Sequence, residues 1–361
     1  MDKLTEARKI INEVDAEMAK LFERRMSAVR TIAEYKAERG LKIYDAEREA
    51  ELIRAAGERI DDPEICSYYV SFVKDTMAIS KEYQQNILYG MKVAYSGTEG
   101  AFAHIATCKL FPNARKVGYG DFAAAYNAVE NGECDAVVLP TENSYNGEVG
   151  QVNDLIASGN LYINDMCELA VCQDLLVCPG ATINDIKTVV SHPQALGQCA
   201  EFIEKHGFEK KEYANTALAA RMVAEEGDKS VAAIASAEAA EFFGLEVLEK
   251  DINSQRSNTT KFAVLSRTAN KIRTNEMGVH SLLTFTVRNE AGALAKAIDV
   301  IGNHGFNMRS IRSRPMKELL WQYYFIVEAE GNLNTTEGIE MMRELKQYCD
   351  RLKAVGTFIK K

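Results

Sequence analysis

The sequence predicts a multidomain protein with an all-α head, an α/β middle region and a smaller α+β module at its end. Its 361 residues exceed what one hydrophobic core usually organises. Apolar residues recur at helical spacing up to about Leu88, in short β-rich runs from Met91, and in a βαββαβ pattern from Val279. We therefore predict domains at residues 1–90, 91–270 and 279–361, with the polar stretch 268–277 as a linker.

The composition is that of an ordinary globular protein, with 47% hydrophobic and 26% charged residues. A net charge of −9 excludes an overall basic surface for nucleic acid or anionic membranes. The sequence has no apolar run long enough for a transmembrane helix, and its first residues lack the apolar core of a signal peptide. The eight cysteines form no CxxC pair, which argues against a structural metal or disulfides and favours a reducing cytoplasm.

The head is predicted to be helical from Thr5 to Leu88, with one interruption before Pro63. There Asp62 is a suitable N-cap and Pro63 a suitable first helical residue, while Gly90 ends the last helix. A heptad frame on the first helix places Arg25 in the apolar seam, where an arginine is very rarely left unpaired.

Two interpretations of the charged residues in the head remain open at this point. Arg25 can pair with a buried glutamate while the other charges form solvated ion pairs. Alternatively, the cations at and beside the seam join the uncharged donors Ser80 and Gln84, which are stacked at i, i+4 spacing, around a small cavity. Such a cavity would suit a compact dianion.

The pattern from Val14 to Lys36, the group Asp45, Arg48 and Glu49, and the pair Ser80 and Gln84 together resemble the all-helical chorismate mutase over residues 4–88. The resemblance implies a chorismate site formed by Arg8, Arg25, Lys36, Asp45, Arg48, Glu49, Ser80 and Gln84. The rearrangement is unimolecular, so catalysis consists of holding the folded conformer and stabilising charge on the ether oxygen. Lys36 and Gln84 are the catalytic candidates at that oxygen, and Glu49 would hold the ring hydroxyl.

The middle region is predicted to contain buried strands that end in polar or glycine-containing loops, as in open α/β sheets with ligands at the strand ends. The predicted strands are Met91–Tyr95, Ala136–Leu139, Thr188–Val190, Val231–Ala235 and Phe262–Leu265. The loop after the first strand contains neither GxGxxG nor GK[ST], although its N–H groups at a helix start could hold a carboxylate. Each of the other loops is individually typical of an ordinary turn or N-cap.

In this order, the segments Leu139–Ser144 with Gly147, Ser191–Gln194 with Gln198, and Thr260–Phe262 resemble prephenate dehydratase across residues 91–267. The resemblance implies two α/β lobes around a cleft, as in periplasmic binding proteins, and the loss of water and carbon dioxide from prephenate to give phenylpyruvate. Thr260 matches the essential threonine, a hydroxyl that assists departure of the leaving group. The implied prephenate-binding residues are Asn143, Ser144, Ser191, Gln198 and Lys261.

The match departs from the family pattern at three positions. Lys261 stands where an arginine is usual, which keeps the charge but loses the bidentate fork. Thr98 replaces the proline of the usual Gly-Pro, and Ala103 replaces a serine or threonine. None of these changes removes Thr260, so dehydratase activity is still expected.

The last eighty or so residues are predicted to form a ferredoxin-like βαββαβ unit. Its predicted elements are strand 281–288, helix 292–303, strand 306–313, strand 320–328, helix 335–349 and strand 353–360. Taken alone, Gly292 is typical of a turn and the Arg314-Pro315 pair of a strand end. Taken together, Asn289–Leu294 and Ser313–Pro315 resemble the ACT regulatory domain, although Arg312 replaces the usual glutamate. The resemblance implies phenylalanine binding between two modules at Gly292, Ala293, Leu294, Ser313, Arg314 and Pro315.

We therefore predict a cytoplasmic, cofactor-free enzyme of phenylalanine biosynthesis that carries out both reactions, is inhibited by phenylalanine and forms a homodimer or higher oligomer. Retention of one activity alone, or a non-catalytic sensor of aromatic acids or amino acids, are the alternatives. Arg8 lies about 26 Å along the helix from Arg25, too far for one chain to bring both to one chorismate. If Arg8 is a ligand, it serves the pocket of a second chain.

Overall fold

The structure is a computed structural model that describes residues 2–254, 258–272, 278–316 and 322–360. The chain divides into two compact units. One contains Met1–Met91 with Asn113–Arg115, and the other contains Lys92–Pro112 with Lys116–Lys361. We call the first the helical unit and the second the α/β unit.

The helical unit consists of α1 (Lys3–Glu38), α2 (Ala46–Glu58) and α3 (Pro63–Tyr89). An aspartate caps the N-terminus of each helix by accepting a hydrogen bond from a backbone N–H of the first turn. Pro63 begins α3, where its missing N–H has no helical partner to lose, and Gly90 ends α3 with φ of +75°. The predicted start and end of this last helix are confirmed.

The apolar seam of α1 is largely exposed on this chain. Val29 and Ala33 are buried, and α1 contacts α3, but Leu4, Ile11 and Leu21 are 54%, 57% and 63% exposed. The heptad pattern correctly locates an apolar stripe on α1, but the prediction that the seam is buried is wrong for a single chain. A heptad pattern predicts which face of a helix is apolar, but it does not predict whether the same chain or a second chain covers that face.

The α/β unit alternates strands and helices through the middle of the chain. Its first elements are β1 (Lys92–Ser96), α4 (Phe102–Leu110), β2 (Arg115–Tyr119), α5 (Phe122–Glu130), β3 (Ala136–Asn143), β4 (Gly147–Glu148), α6 (Gly150–Ser158) and β5 (Tyr162–Ala170). They are followed by β6 (Asp174–Val177), β7 (Thr188–Ser191), α7 (Pro193–Gln198), α8 (Ala200–His206), β8 (Glu209–Glu212), α9 (Thr216–Glu226), β9 (Val231–Ala235), α10 (Ala237–Phe243), β10 (Glu246–Glu249) and β11 (Thr259–Ser266).

These strands form two sheets in the described residues, each with its own core. The first has the order β2-β1-β3-β11-β5, with β4 beside β3, and the second has the order β10-β6-β9-β7-β8. Val137 and Leu265 are fully buried in the first sheet, and Val189 and Ile234 in the second. The prediction of two α/β lobes is confirmed.

Two predicted strands are at least four residues longer in the structure than the sequence pattern predicts. The run that begins at Ala136 continues through Asn143, and the run around Phe262 begins at Thr259. The sequence pattern predicts loops at Asn143 and Thr260, but both are strand residues that lie opposite each other in the antiparallel pair of β3 and β11. The strand Val231–Ala235 is confirmed at both ends.

The C-terminal module follows the predicted βαββαβ order. Its elements are β12 (Val279–Thr286), α11 (Ala293–Asn303), β13 (Asn307–Pro315), β14 (Tyr323–Glu330), α12 (Thr336–Leu345) and β15 (Arg351–Ile359). The sheet order is β13-β14-β12-β15, and its strand pairs are antiparallel. Residues 273–277 of the predicted linker and residues 320 and 321 of a predicted strand lie outside the described residues.

The module shares a core with the first sheet. Alternate residues of β12 serve two cores, because Leu283 packs with the module's helices and Leu282 packs with the first lobe. β15 comes so close to β5 that a Cβ atom at Gly356 would lie 2.0 Å from the Ile163 carbonyl oxygen. Glycine is therefore required at this crossing.

Candidate active sites

Arg25 is the central cation of the helical unit. Its guanidinium donates to Ser80 Oγ and, at 3.4 Å, to the Thr76 carbonyl oxygen on α3. Among the described residues, these partners are neutral oxygens rather than a carboxylate, so the interpretation of a buried Arg–Glu pair is wrong. Burial lowers the pKa of Arg25, as expected when water is removed without a compensating negative charge.

Gln84 lies one helical turn beyond Ser80 and is only 7% exposed. Its Nε2 donates to the Ser80 carbonyl oxygen at 3.3 Å, but in the described part of the chain its buried Oε1 has no hydrogen-bond partner. A buried amide oxygen without a partner is costly, which is typical of a group that binds a ligand.

Lys36 and Glu49 have partners in the structure. Lys36 Nζ donates to the Ile43 carbonyl oxygen at 2.6 Å, and Glu49 pairs with Lys81 at 2.8 Å. Lys81 was missed by the sequence analysis, although it lies three residues before Gln84 and therefore on a neighbouring part of the same helix face.

Asp45, Arg48 and Arg8 have less specific surroundings. Asp45 is the N-cap of α2 and accepts from the Arg48 backbone N–H at 3.0 Å. The Arg48 guanidinium pairs with Glu51, and both side chains are more than half exposed. Arg8 is exposed on α1. Their roles as chorismate ligands remain predictions.

Asn143 and Thr260 form the centre of a second constellation, in the first sheet of the α/β unit. Asn143 Nδ2 donates to Thr260 Oγ1 at 2.9 Å and to Asn258 Oδ1 at 2.7 Å. Its Oδ1 accepts the backbone N–H groups of Tyr145 and Asn146, which fixes which end of the amide faces Thr260. Because Thr260 Oγ1 accepts from Asn143, its own hydrogen is directed to another acceptor.

Charged and polar neighbours surround this pair. Ser144 Oγ accepts from the Thr259 backbone N–H at 2.9 Å, and Lys261 Nζ pairs with Glu142 at 3.0 Å. Burial alone would raise the pKa of Glu142, but hydrogen bonds and charge from Lys261 and Arg312 hold it below its ordinary value. Glu142 is therefore a carboxylate at neutral pH.

The other predicted prephenate residues belong to the second sheet and its helices. Ser191 is fully buried, and its hydroxyl donates to the Ile234 carbonyl oxygen at 2.5 Å. Gln198 is the last residue of α7.

Thr98 was noted in the sequence only as a departure, yet its Oγ1 is a buried atom without a hydrogen-bond partner in the described residues. Such an atom could be found only from the structure.

The predicted phenylalanine site lies in the C-terminal module. Gly292 precedes α11 with φ of +81°, a conformation that suits glycine. Arg314 on β13 contacts α6: its Nε and NH2 donate to Asp154 at 3.1 and 3.0 Å, and the Tyr324 hydroxyl donates to the same oxygen at 2.6 Å. A Cβ at Gly150 would come within 2.7 Å of the Arg314 guanidinium, so a larger residue there would require the Arg314 side chain to shift.

Other kinds of site were also considered. Within the described ranges, the structure contains no group of three or more His, Cys, Asp or Glu side chains that could hold a metal ion. In the same ranges, no helix has the length and apolar character needed to cross a membrane.

Residues 93–270 match the family model of prephenate dehydratase, and residues 7–85 match that of chorismate mutase type II. Arogenate dehydratase/prephenate dehydratase 2 of Arabidopsis thaliana is 33% identical over 277 residues, covering 74% of this chain and 72% of the relative. The chain belongs to the prephenate dehydratase family.

The chain is also similar to a bifunctional relative. The bifunctional chorismate mutase/prephenate dehydratase of Escherichia coli K12 is 29% identical over 356 residues, covering 94% of this chain and 92% of the relative. The chain therefore joins a chorismate mutase domain to a prephenate dehydratase domain and has both activities in phenylalanine biosynthesis. The crystal structure of prephenate dehydratase from Arthrobacter aurescens in complex with L-Phe has a TM-score of 0.67 and 26% identity, covering 74% of this chain and 90% of that chain.

Proposed function

We propose that Thr260 carries the dehydratase chemistry by donating a hydrogen bond to the hydroxyl that leaves prephenate. The observation that supports this role is the hydrogen bond from Asn143 Nδ2 to Thr260 Oγ1, which leaves the hydrogen of Thr260 for the substrate. As the hydroxyl departs, the bond between the ring and its carboxylate breaks, carbon dioxide leaves and the electron pair completes the aromatic ring. Because aromatisation drives the reaction, a hydrogen-bond donor positioned at the leaving hydroxyl provides much of the rate enhancement that the protein must supply.

The prephenate carboxylates are assigned to the polar groups around Thr260. Asn143 and Ser144 lie on the facing strand and turn. Lys261 is the next residue of β11, and its ammonium group pairs with Glu142. Ser191 and Gln198 would contact the substrate from the second lobe. In two-lobed α/β proteins, ligands bind in the cleft at the ends of the strands. Thr98 joins this proposed set because its buried hydroxyl oxygen needs a partner.

Thr260→Val tests this assignment, with Thr259→Val as the matched control on the same strand. We expect Thr260→Val to lower the turnover of prephenate about a hundredfold or more, the usual effect of removing a positioned acid. Thr259→Val should keep dehydratase activity, and both variants should keep mutase activity. Wild-type turnover of prephenate by Thr260→Val would contradict the assignment.

In the helical unit, we assign Arg25 to a chorismate carboxylate, Lys36 and Gln84 to the ether oxygen and Glu49 to the ring hydroxyl. The neutral partners of Arg25 and the unpaired Oε1 of Gln84 support a site that is completed by an anionic, hydrogen-bonding ligand. Rotation of the Gln84 amide by 180° would present its NH2 group to the ether oxygen. In assays of purified protein, the loss of chorismate measures the mutase reaction, and the phenylpyruvate formed from added prephenate measures the dehydratase reaction. A sensor that only binds would give neither signal.

We also propose that the C-terminal module is a ferredoxin-like ACT regulatory domain that binds phenylalanine. Its βαββαβ order supports the fold, and the relative solved with L-Phe supports the effector. The proposed site is formed by Gly292, Ala293, Leu294, Ser313, Arg314 and Pro315. Calorimetry on the full chain should detect phenylalanine binding, and Gly292→Val should weaken it; equal binding by this variant would contradict the placement.

The helical unit is proposed to function as a homodimer or within a larger homo-oligomer. The exposed apolar residues of α1 support a second copy as the partner that covers them. In such a dimer, Arg8 of one chain would reach the chorismate site of the other.

A further inference from the structure

Ion pairs link the C-terminal module to the strands that carry Asn143 and Thr260. Arg312 on β13 binds Glu142 on β3 at 2.7 Å through NH2, and Glu148 on β4 at 3.1 Å through Nε. Glu142 also accepts from Lys261 on β11 at 3.0 Å. The four side chains are only 19–31% exposed, so these contacts are less screened than ordinary surface pairs.

The strand register connects this cluster to the dehydratase constellation through the backbone, because its side chains occupy neighbouring positions on the opposite face of the sheet. Glu142 lies opposite Lys261 on one side and opposite Glu148 on the other. The next pair along β3 and β11 is Asn143 with Thr260. Any movement of the hairpin formed by β3 and β4 therefore changes the position of Asn143.

Arg312 resolves an electrostatic conflict within that hairpin. Glu142 and Glu148 are directly opposed in an antiparallel pair, where like charges are destabilising. The guanidinium contacts both carboxylates with different nitrogens, as its fork of donors permits. Without it, the two carboxylates would share the single positive charge of Lys261, and their repulsion would act on the hairpin of β3 and β4.

We propose that Arg312 is a positioning residue for the dehydratase reaction. It holds Glu142 and Glu148 so that Asn143 keeps its hydrogen bond to the Thr260 hydroxyl, and it makes strand β13 part of the support of the dehydratase site. The inference rests on the proposed roles of Asn143 and Thr260. It also gives the C-terminal module a direct physical connection to turnover, because a shift of β13 would be transmitted through Arg312.

The main experiment compares Arg312→Gln with Arg309→Gln. Arg309 is a matched control on the same strand, because it pairs with Glu330 on β14 within the module. Arg312→Gln should lower kcat for prephenate by roughly 10- to 100-fold, the effect of a small misplacement of catalytic groups. Arg309→Gln should leave kcat unchanged, and both should keep mutase activity. Equal kcat values for the two variants would overturn the proposal.

A double-mutant cycle with Glu142→Gln tests the route of the effect. If Arg312 acts through Glu142, Arg312→Gln should cost little further activity once Glu142→Gln is present, because the two residues act as one unit. If the two separate losses of kcat multiply in the double variant, Arg312 does not act through Glu142. Arg312→Lys keeps the charge but cannot reach both carboxylates in the same way, so it should restore only part of kcat.

The outcome is distinguishable from failure of the Thr260 assignment. If Thr260→Val retains full turnover, Thr260 is not the donor, whatever Arg312→Gln does. If Thr260→Val is inactive while Arg312→Gln has wild-type kcat, the assignment of Thr260 stands and the role of Arg312 is wrong. Unchanged thermal unfolding of Arg312→Gln would show that a loss of kcat does not come from unfolding.

Discussion

The two constellations differ in how completely their polar groups are satisfied by the protein itself. In the helical unit, Arg25 has neutral partners and the buried Oε1 of Gln84 has none in the described residues. In the α/β unit, Asn143 uses both ends of its amide, and Glu142 binds two cations. The first constellation is thus incomplete without ligand, whereas the second is already organised.

The difference follows from the reactions. Chorismate rearranges without a nucleophile or base, so the helical unit mainly has to bind and compress a charged substrate. Hydrogen bonds from the substrate to the unpaired donors and acceptors then contribute to the free energy of binding. The dehydratase reaction needs a group that helps one hydroxyl to leave, and we propose the Thr260 hydroxyl, which the fixed amide of Asn143 holds in place, for that role.

Replacing Gln84 or Asn143 by leucine should give the largest difference between the two units in activity and stability. Gln84→Leu should lower mutase kcat by roughly 100- to 1000-fold, as for loss of one charge-stabilising donor, yet raise stability by about 1 kcal/mol because an unpaired buried oxygen is removed. Asn143→Leu should lower both dehydratase activity and stability, since the N–H groups of Tyr145 and Asn146 lose their acceptor. Activity assays with chemical unfolding measure both effects. Loss of stability in Gln84→Leu would contradict the view that its oxygen is unsatisfied.

Mixing Arg8→Ala with Arg25→Ala tests whether the helical site needs two chains. Each variant should have little mutase activity alone. Random pairing makes half of the dimers mixed, and each mixed dimer has one intact pocket, so mutase activity should recover to about a quarter of wild type. Dehydratase activity should stay constant throughout and serves as the internal control. No recovery in verified mixed dimers would leave Arg8 outside the chorismate site.

A pair of arginine substitutions compares the two units in stability. Arg314→Gln should destabilise the α/β unit by about 2 kcal/mol, because Asp154 loses a charged hydrogen-bonding partner and is only 19% exposed. Arg48→Gln in the helical unit should change stability by less than about 0.5 kcal/mol, since its pair with Glu51 is more than half exposed. Urea unfolding measures both. Equal effects would show that the contact with Asp154 contributes no more than a surface pair.

Replacing His304 should have the smallest effect on stability, and this effect depends on pH. Hydrogen bonds to Glu344 and Glu337 raise the pKa of His304 above its ordinary value of 6.5. The protonated form is thus favoured by folding, so its contribution is fully present below pH 6.5 and is lost as the pH rises through the raised pKa. Because Glu337 and Glu344 are 57% and 47% exposed, we expect at most about 1 kcal/mol. The Tm difference between wild type and His304→Gln should shrink from pH 6 to pH 9, and a constant difference would contradict this origin.

Local patterns were sufficient to predict the elements that bury apolar residues. Val231–Ala235 was predicted at both ends because the run is continuously apolar. The strand from Ala136 was predicted to stop at Leu139 because Pro140 and the polar residues after it are typical of a loop. Pairing with β11 extends it through Asn143, and such pairing depends on residues more than a hundred positions away.

The partners of the site residues were the least predictable part. The motif placed Thr260 and Asn143 in one site, but their hydrogen bond comes from strand register. Arg312 appeared in the sequence only as a reversal of the usual charge. Its two carboxylate partners are separated from it by more than 160 residues, and a charge pattern does not specify a partner at that distance.

The shared core of the first lobe and the C-terminal module has a consequence for folding. Removing residues 279–361 would uncover the apolar surface that Leu282, Ile326, Val355 and Phe358 now cover, so the truncated chain should aggregate. Backbone amides of β5 and β15 should exchange with deuterium in one cooperative opening, with the same protection free energy. The C-terminal module is therefore not a detachable piece, because it contributes part of the core of the first lobe.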